Sequence, residues 1–151
     1  MNYRMSYARR SGFTLVELII VVSILGILAA LVLPKFTSAS VSARVSATKS
    51  QLRGIRVALD RYKMAHSDTY PAIGDLWGAL TGKTDLDGTL NASGSFGPYL
   101  LSPPGNPFTS SSTVAAFGAG TVNDGWEYDV TQRPPIIAVG FNEITDTYTA
   151  P

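Results

Sequence analysis

One carboxylate, Glu17, stands in an otherwise uncharged run of 21 residues from Phe13 to Leu33. An ionisable group inside so apolar a segment is a functional residue by default and calls for a partner. Little else among the 151 residues points to covalent chemistry. There is no cysteine, which excludes thiol nucleophiles, disulfides and cysteine-ligated zinc. The one histidine, His66, is too few for a polyhistidine metal centre, and any serine–histidine pair would have to use it. No Ser/Asp constellation accompanies it, so His66 reads as a solvated histidine at a helix end rather than a general base.

The net charge of +1 excludes a strongly basic nucleic-acid binder, but the distribution is lopsided. Residues 1–66 carry ten Lys/Arg against two acids, giving +8, whereas residues 67–151 carry two against nine, giving −7. The two halves therefore face different surroundings. As a helix, residues 13–33 are about 31 Å long, close to the ~30 Å of bilayer hydrocarbon. Fifteen of the 21 are Leu, Ile, Val or Phe. They favour insertion by about 4.5 to 9 kcal/mol against roughly 3 for one central carboxylate, so the segment inserts despite Glu17. Arg4, Arg9 and Arg10 precede it and place the N-terminus in the cytoplasm, with residues 35–151 outside. A secretory signal would use the small residues of Val41-Ser42-Ala43 for cleavage, but the apolar stretch exceeds the usual ~7–15 residues and contains an acid.

Gly12-Phe13-Thr14-Leu15-Val16-Glu17, behind a short basic leader and ahead of an apolar run, resembles the prepilin motif of type IV pilins and type II secretion pseudopilins. The resemblance implies cleavage between Gly12 and Phe13 by a membrane prepilin peptidase, then N-methylation of Phe13. It also implies that Glu17 of one subunit pairs with the Phe13 amine of a neighbour and sets register during assembly. The alternative is a Glu17 that merely snorkels to the cytoplasmic interface. Cleavage would remove a +3 leader and leave 139 residues of net charge −2. Gly26 and Pro34 interrupt the helix and match the family's glycine and proline, implying a segment that unwinds as a subunit leaves the bilayer. In physical terms alone they are its weak point, since proline lacks the donor to the Ala30 carbonyl.

Beyond Pro34, Val41, Val45, Thr48, Leu52, Ile55, Leu59 and Tyr62 recur at alternating spacings of four and three, a heptad stripe. Lys49, Arg53, Arg56, Asp60, Arg61 and Lys63 fall off it. The stripe from Leu52 to Tyr62 is expected to pack against the head's sheet. Residues 37–50, rich in Ser, Ala and Thr, suit close helix approach in a bundle of stalks. Arg44, Lys49 and Arg53 read as a solvated face, or as partners for acids on neighbouring heads, before they read as a nucleic-acid stripe.

The helix is expected to end near Ser67, before Tyr70-Pro71. Ile73, Leu76, Trp77 and Leu80 mark a short amphipathic helix. Of residues 102–125, sixteen are Gly, Pro, Ser, Thr or Asn, so little regular structure is expected there apart from a strand near 114–117. Residues 126–130 and 136–139 read as strands, and 147–149 as an edge. In order along the chain, Tyr70-Pro71, Gly97-Pro98-Tyr99-Leu100, Asn106-Pro107-Phe108 and Gly125-Trp126-Glu127-Tyr128 resemble the head of the pseudopilin G class. The absence of cysteine departs from adhesive type IVa pilins, which commonly close a C-terminal loop with a disulfide. Resemblance to the pseudopilin G class, which often binds calcium in a head loop, implies calcium as a candidate ligand, and Asp85, Asp87, Asp124, Glu127 and Asp129 offer oxygen ligands. No twelve-residue loop closed by a glutamate is present, acidic surface loops explain these residues without a metal, and no cofactor is expected.

The expected architecture is α+β, a long N-terminal helix packed against a small antiparallel sheet. Residues 1–12 form a basic leader, 13–35 a transmembrane and filament-core helix, 36–66 an amphipathic spine and 67–151 the head. The expected function is structural and non-enzymatic: a pseudopilus or type IV pilus-like subunit, made as an inner-membrane prepilin with its head periplasmic, then built into a filament. The resemblance implies as partners other copies of the chain, minor pilins or pseudopilins, the peptidase, and an inner-membrane platform driven by a cytoplasmic ATPase. A DNA-uptake pilin, or a minor pilin acting as a binding module, is the alternative; the acidic head opposes nucleic-acid binding.

Overall fold

The computed structural model describes residues 12–151 and, of residues 33–37, the backbone alone. The leader up to Ser11, with Arg4, Arg9 and Arg10, lies outside the described residues. The chain divides into two compact units between Ser40 and Val41.

Helix α1 is assigned over Leu15–Ala65, 51 residues. Its backbone is helical through both Gly26 and Pro34. Proline removes one backbone bond, which leaves the neighbouring turns free to carry the helix past it. In the first unit the stretch Leu15–Val32 is long and apolar enough to cross a membrane. Its one hydroxyl, on Ser23, donates back to the Ile19 carbonyl at 2.7 Å. No residue of this stretch is buried, and fourteen large apolar side chains between Phe13 and Val32 are exposed.

In the second unit the heptad stripe does what its spacing predicts from Val45 onward. Leu52, Ile55, Leu59 and Tyr62 are buried and Val45 is partly buried, while Val41 is exposed. They meet Leu76 and Leu80 of helix α2 (Leu76–Thr81) and Trp126, Tyr128, Ile136 and Ala138 of the sheet. Each such large side chain contributes about 1.5–3 kcal/mol by leaving water, so this cluster holds the spine to the head. A 3-10 turn, Ile73–Asp75, leads into α2, but Ile73 itself is exposed. Helix α1 ends where Ser67 and Asp68 take positive φ and the Asp68 amide donates to the Lys63 carbonyl at 3.0 Å. This left-handed closure reverses the chain onto the head.

Strands β1 (Val114–Ala116), β2 (Trp126–Tyr128) and β3 (Ile136–Ala138) form one sheet in that order. Strands β2 and β3 pair antiparallel, with Trp126 opposite Ala138. Strand β1 pairs parallel to β2, which the expected antiparallel sheet did not include. The intervening loop turns back instead of forming a hairpin because Glu127 captures the amides of Gly118 and Gly120, at 2.9 and 3.0 Å. A separate antiparallel pair joins β4 (Phe141–Asn142) to β5 (Thr147–Tyr148).

Candidate functional site

Helix α1 begins with a reciprocal cap. The Thr14 hydroxyl accepts the Glu17 amide at 3.2 Å, while Glu17 Oε2 accepts the Thr14 amide at 3.1 Å and the Thr14 hydroxyl at 2.9 Å. Thr14-Leu15-Val16-Glu17 is thus a capping box, which satisfies helix donors that have no partner within the helix. The positive end of the helix dipole favours the carboxylate further. Glu17 therefore has a partner within its own chain. Its other oxygen, Oε1, accepts no hydrogen bond among the described residues and is free for a donor from outside. The pattern that reveals the cap, threonine three residues before glutamate, stands in the sequence.

Gly12 and Phe13 lie just ahead of this cap. Phe13 is 77% exposed, and a Cβ placed on Gly12 meets nothing within 4 Å. Gly26 is equally open. No packing contact of the described chain demands glycine at either position.

Several acidic residues of the head accept hydrogen bonds from their own loops. Asp124 Oδ2 accepts the Thr121 amide and hydroxyl at 3.0 and 2.8 Å, and Oδ1 accepts the Thr113 hydroxyl at 3.0 Å. These bonds, the Thr121 hydroxyl foremost, hold the Asp124 carboxyl below the usual carboxylate range. Asp129 is lowered in the same way by the amide and then the hydroxyl of Thr131, and Asp87 by the Thr89 amide. Asp85 Oδ2 accepts the Asn91 side-chain amide at 2.8 Å. Among the described residues, no three His, Cys, Asp or Glu side chains gather as a metal-binding group.

Three ion pairs link the spine helix to the chain that follows it. Arg56 forms a bidentate pair with Glu143, at 2.6 and 3.0 Å, and donates to the Ile136 carbonyl at 2.9 Å. Lys49 pairs with Asp146, and Lys63 with Asp68 at 3.2 Å. Lys49 thus has an acid of its own chain as partner. Arg44 and Arg53, the other two cations of its face, form no ion pair among the described residues.

His66 is not the solvated helix-end residue that the sequence predicts. It is 3% exposed, its ring stacks on Tyr62 at 3.8 Å, Nδ1 lies 2.8 Å from the Tyr62 carbonyl and Nε2 lies 2.9 Å from the Thr84 hydroxyl. The turn at Ser67 and Asp68 folds residues 84–96 over it, and Phe96 packs beside the ring. With both nitrogens engaged, His66 is a structural tie between spine and loop.

Comparison with known proteins agrees with this arrangement. A family model for the prokaryotic N-terminal methylation motif matches residues 7–33. The type II secretion system core protein G of Pseudomonas aeruginosa is 37% identical over 107 residues, 69% of this chain and 75% of that protein. The core protein G of Aeromonas hydrophila is 38% identical over 79 residues, 52% of this chain and 54% of that protein. A fimbrial protein of Pseudomonas aeruginosa is 30% identical over 138 residues, 83% of this chain and 88% of that protein. No solved structure matches the chain. An exposed apolar stretch of membrane-spanning length, a methylation motif that takes in Glu17 and similarity to pilin and pseudopilin proteins mark a structural subunit, not an enzyme. The chain belongs to the type IV pilin and type II secretion pseudopilin family.

Proposed function

We propose that the chain is the precursor of a pseudopilus subunit that polymerises through its N-terminal helix. The carrying observation is the single Glu17 carboxylate, with one oxygen free, amid fourteen exposed apolar side chains. Such a surface needs lipid before assembly and other helices afterwards. Prepilin peptidase cuts between Gly12 and Phe13 and Phe13 is N-methylated, leaving residues 13–151 with net charge −2. The new α-amine of one subunit pairs with Glu17 of the next, because in hydrocarbon each charge is costly alone and far less so when paired. The subunit waits in the inner membrane, amino end cytoplasmic and head periplasmic. It joins the filament with minor pseudopilins on an inner-membrane platform driven by a cytoplasmic ATPase. The stretch from Gly26 to Pro34 is where the helix yields during extraction.

Replacing Glu17 tests the reading. Glu17→Ala should insert at least as well, since removing the carboxylate relieves roughly 3 kcal/mol. Cleavage at Gly12 should survive. Filament yield after shearing should collapse, because an unpaired buried charge costs about 3–5 kcal/mol at every addition, over a hundredfold. Normal yield with normal processing would show that Glu17 only snorkels.

A further inference from the structure

The second unit holds a cavity of about 980 Å³ bounded by the end of α1 and by the loops around Asp75 and Asp87. Tyr62 lies at its base and is 3% exposed, yet its hydroxyl makes no hydrogen bond among the described residues. The hydroxyl points toward Gly88, where an added Cβ would lie 2.5 Å from it; Gly88, at φ +86°, lines the same cavity. The walls carry three carboxylates, Asp75, Asp85 and Asp87, none in an ion pair among the described residues. Burial raises the Tyr62 phenol above its ordinary range, with Asp87 and Asp75 adding to the effect, so the hydroxyl stays neutral and can accept a donor. Tyr70, also in the lining, already has Lys63 and Arg133 against its ring, at 5.1 and 6.0 Å.

A nearly buried acceptor beneath unpaired carboxylates calls for a cation with several forked donors, the chemistry of a guanidinium. The same unit carries the complement. Lys49, Arg56 and Lys63 of α1 are paired within the chain, whereas Arg44, Arg53 and Arg61 are exposed and form no ion pair among the described residues. Arg61 stands within about one helical turn of the Tyr62–His66 wall. A second copy packed alongside in the same direction therefore reaches the cavity with an axial offset of ~6 Å. By the same measure Arg53 and Arg44 would need offsets of roughly 18 and 32 Å.

We infer that the cavity walled by Tyr62, Asp75 and Asp87 is a docking site for Arg61 of a second copy of this chain. This rests on the filament-subunit reading above and deepens it, for it gives the heads a contact that is independent of Glu17. It also accounts for the opposed charges of spine and head.

The lack of native cysteine makes a direct test available. Full-length chains carrying Asp87→Cys together with Arg61→Cys are expressed in filament-forming cells, treated with a bis-maleimide spanning about 10 Å because an Arg–Asp contact holds its Cα atoms beyond the ~7 Å reach of a disulfide, then sheared and separated by size. The expected result is a ladder of cross-linked multimers, with Asp87→Cys/Arg53→Cys and Asp87→Cys/Arg44→Cys staying monomeric. Charge exchange supplies the second arm. Asp87→Arg should lower filament yield about tenfold or more, as for a desolvated pair that has lost one partner, and Arg61→Asp in the same chain should restore it. Filaments of normal yield with no ladder, a ladder from the Arg53 or Arg44 pair instead, or an adduct to a different protein would each overturn the proposal. If the parent chain gives no filaments at all, the subunit reading itself fails and the docking site falls with it.

Discussion

Thr14 and Glu17 hold each other: one hydroxyl both donates to the carboxylate, at 2.9 Å, and accepts the glutamate's own amide, at 3.2 Å. The ionisable group of an apolar helix is thus half satisfied within its own chain, with Oε2 engaged and Oε1 free among the described residues. The cap leaves Oε1 for a donor from outside.

Removing the hydroxyl should loosen the first turn. In Thr14→Val the loss of the cap costs about 1 kcal/mol, so the Glu17 amide should exchange with solvent deuterium about fivefold faster in detergent micelles. Thr14→Ser should retain the protection. Equal exchange in all three chains would mean that the cap contributes nothing.

The tie between His66 and Thr84 should matter to the head alone. Thr84→Val leaves a buried ring nitrogen without its partner, a loss of about 1–3 kcal/mol, and should lower the melting temperature of the head by several degrees. Thr84→Ser should melt close to the parent. An unchanged Thr84→Val would show that the bond adds no stability.

Acid should weaken the loops before the spine. The Thr121 hydroxyl and amide lower the Asp124 carboxyl, and the Thr131 amide and hydroxyl lower that of Asp129. As pH falls, the unfolded chain takes up these protons first. The stability they confer is therefore present above the unfolded value of about 3.9 and lost as pH falls through the folded values. Thermal unfolding followed against pH should decline below about pH 4, and less steeply in Asp124→Asn/Asp129→Asn. The same slope in both chains would assign the acid loss to other groups.

Duplex DNA should not be retained by assembled filaments at physiological salt, since the head carries two basic residues against nine acids over residues 67–151. Retention that falls steeply as salt rises, the mark of counterion release, would instead favour an uptake pilin.

The parts of this molecule governed by periodicity could be read from the sequence. The apolar run around Glu17, the stripe from Leu52 to Tyr62, the short helix at Leu76 and the strands at Trp126 and Ile136 all depend on local pattern, and the structure has them. What escaped depends on long-range partners. His66 is buried because Thr84, eighteen residues on, meets its ring. Strand β1 runs parallel because Glu127 binds the amides of Gly118 and Gly120 across the loop. Strands of two residues, such as β4, are too short to show alternation. The Thr14 cap also escaped, although threonine stands three residues before Glu17, because its bond to the carboxylate is seen only in the structure.

The most direct measurement of the central claim is the intact mass of protein sheared from filament-forming cells. One species is expected, residues 13–151 plus a single methyl group, with fragmentation placing the methyl on the Phe13 amine. A species that keeps residues 1–12, or one that begins at Arg44, would contradict it.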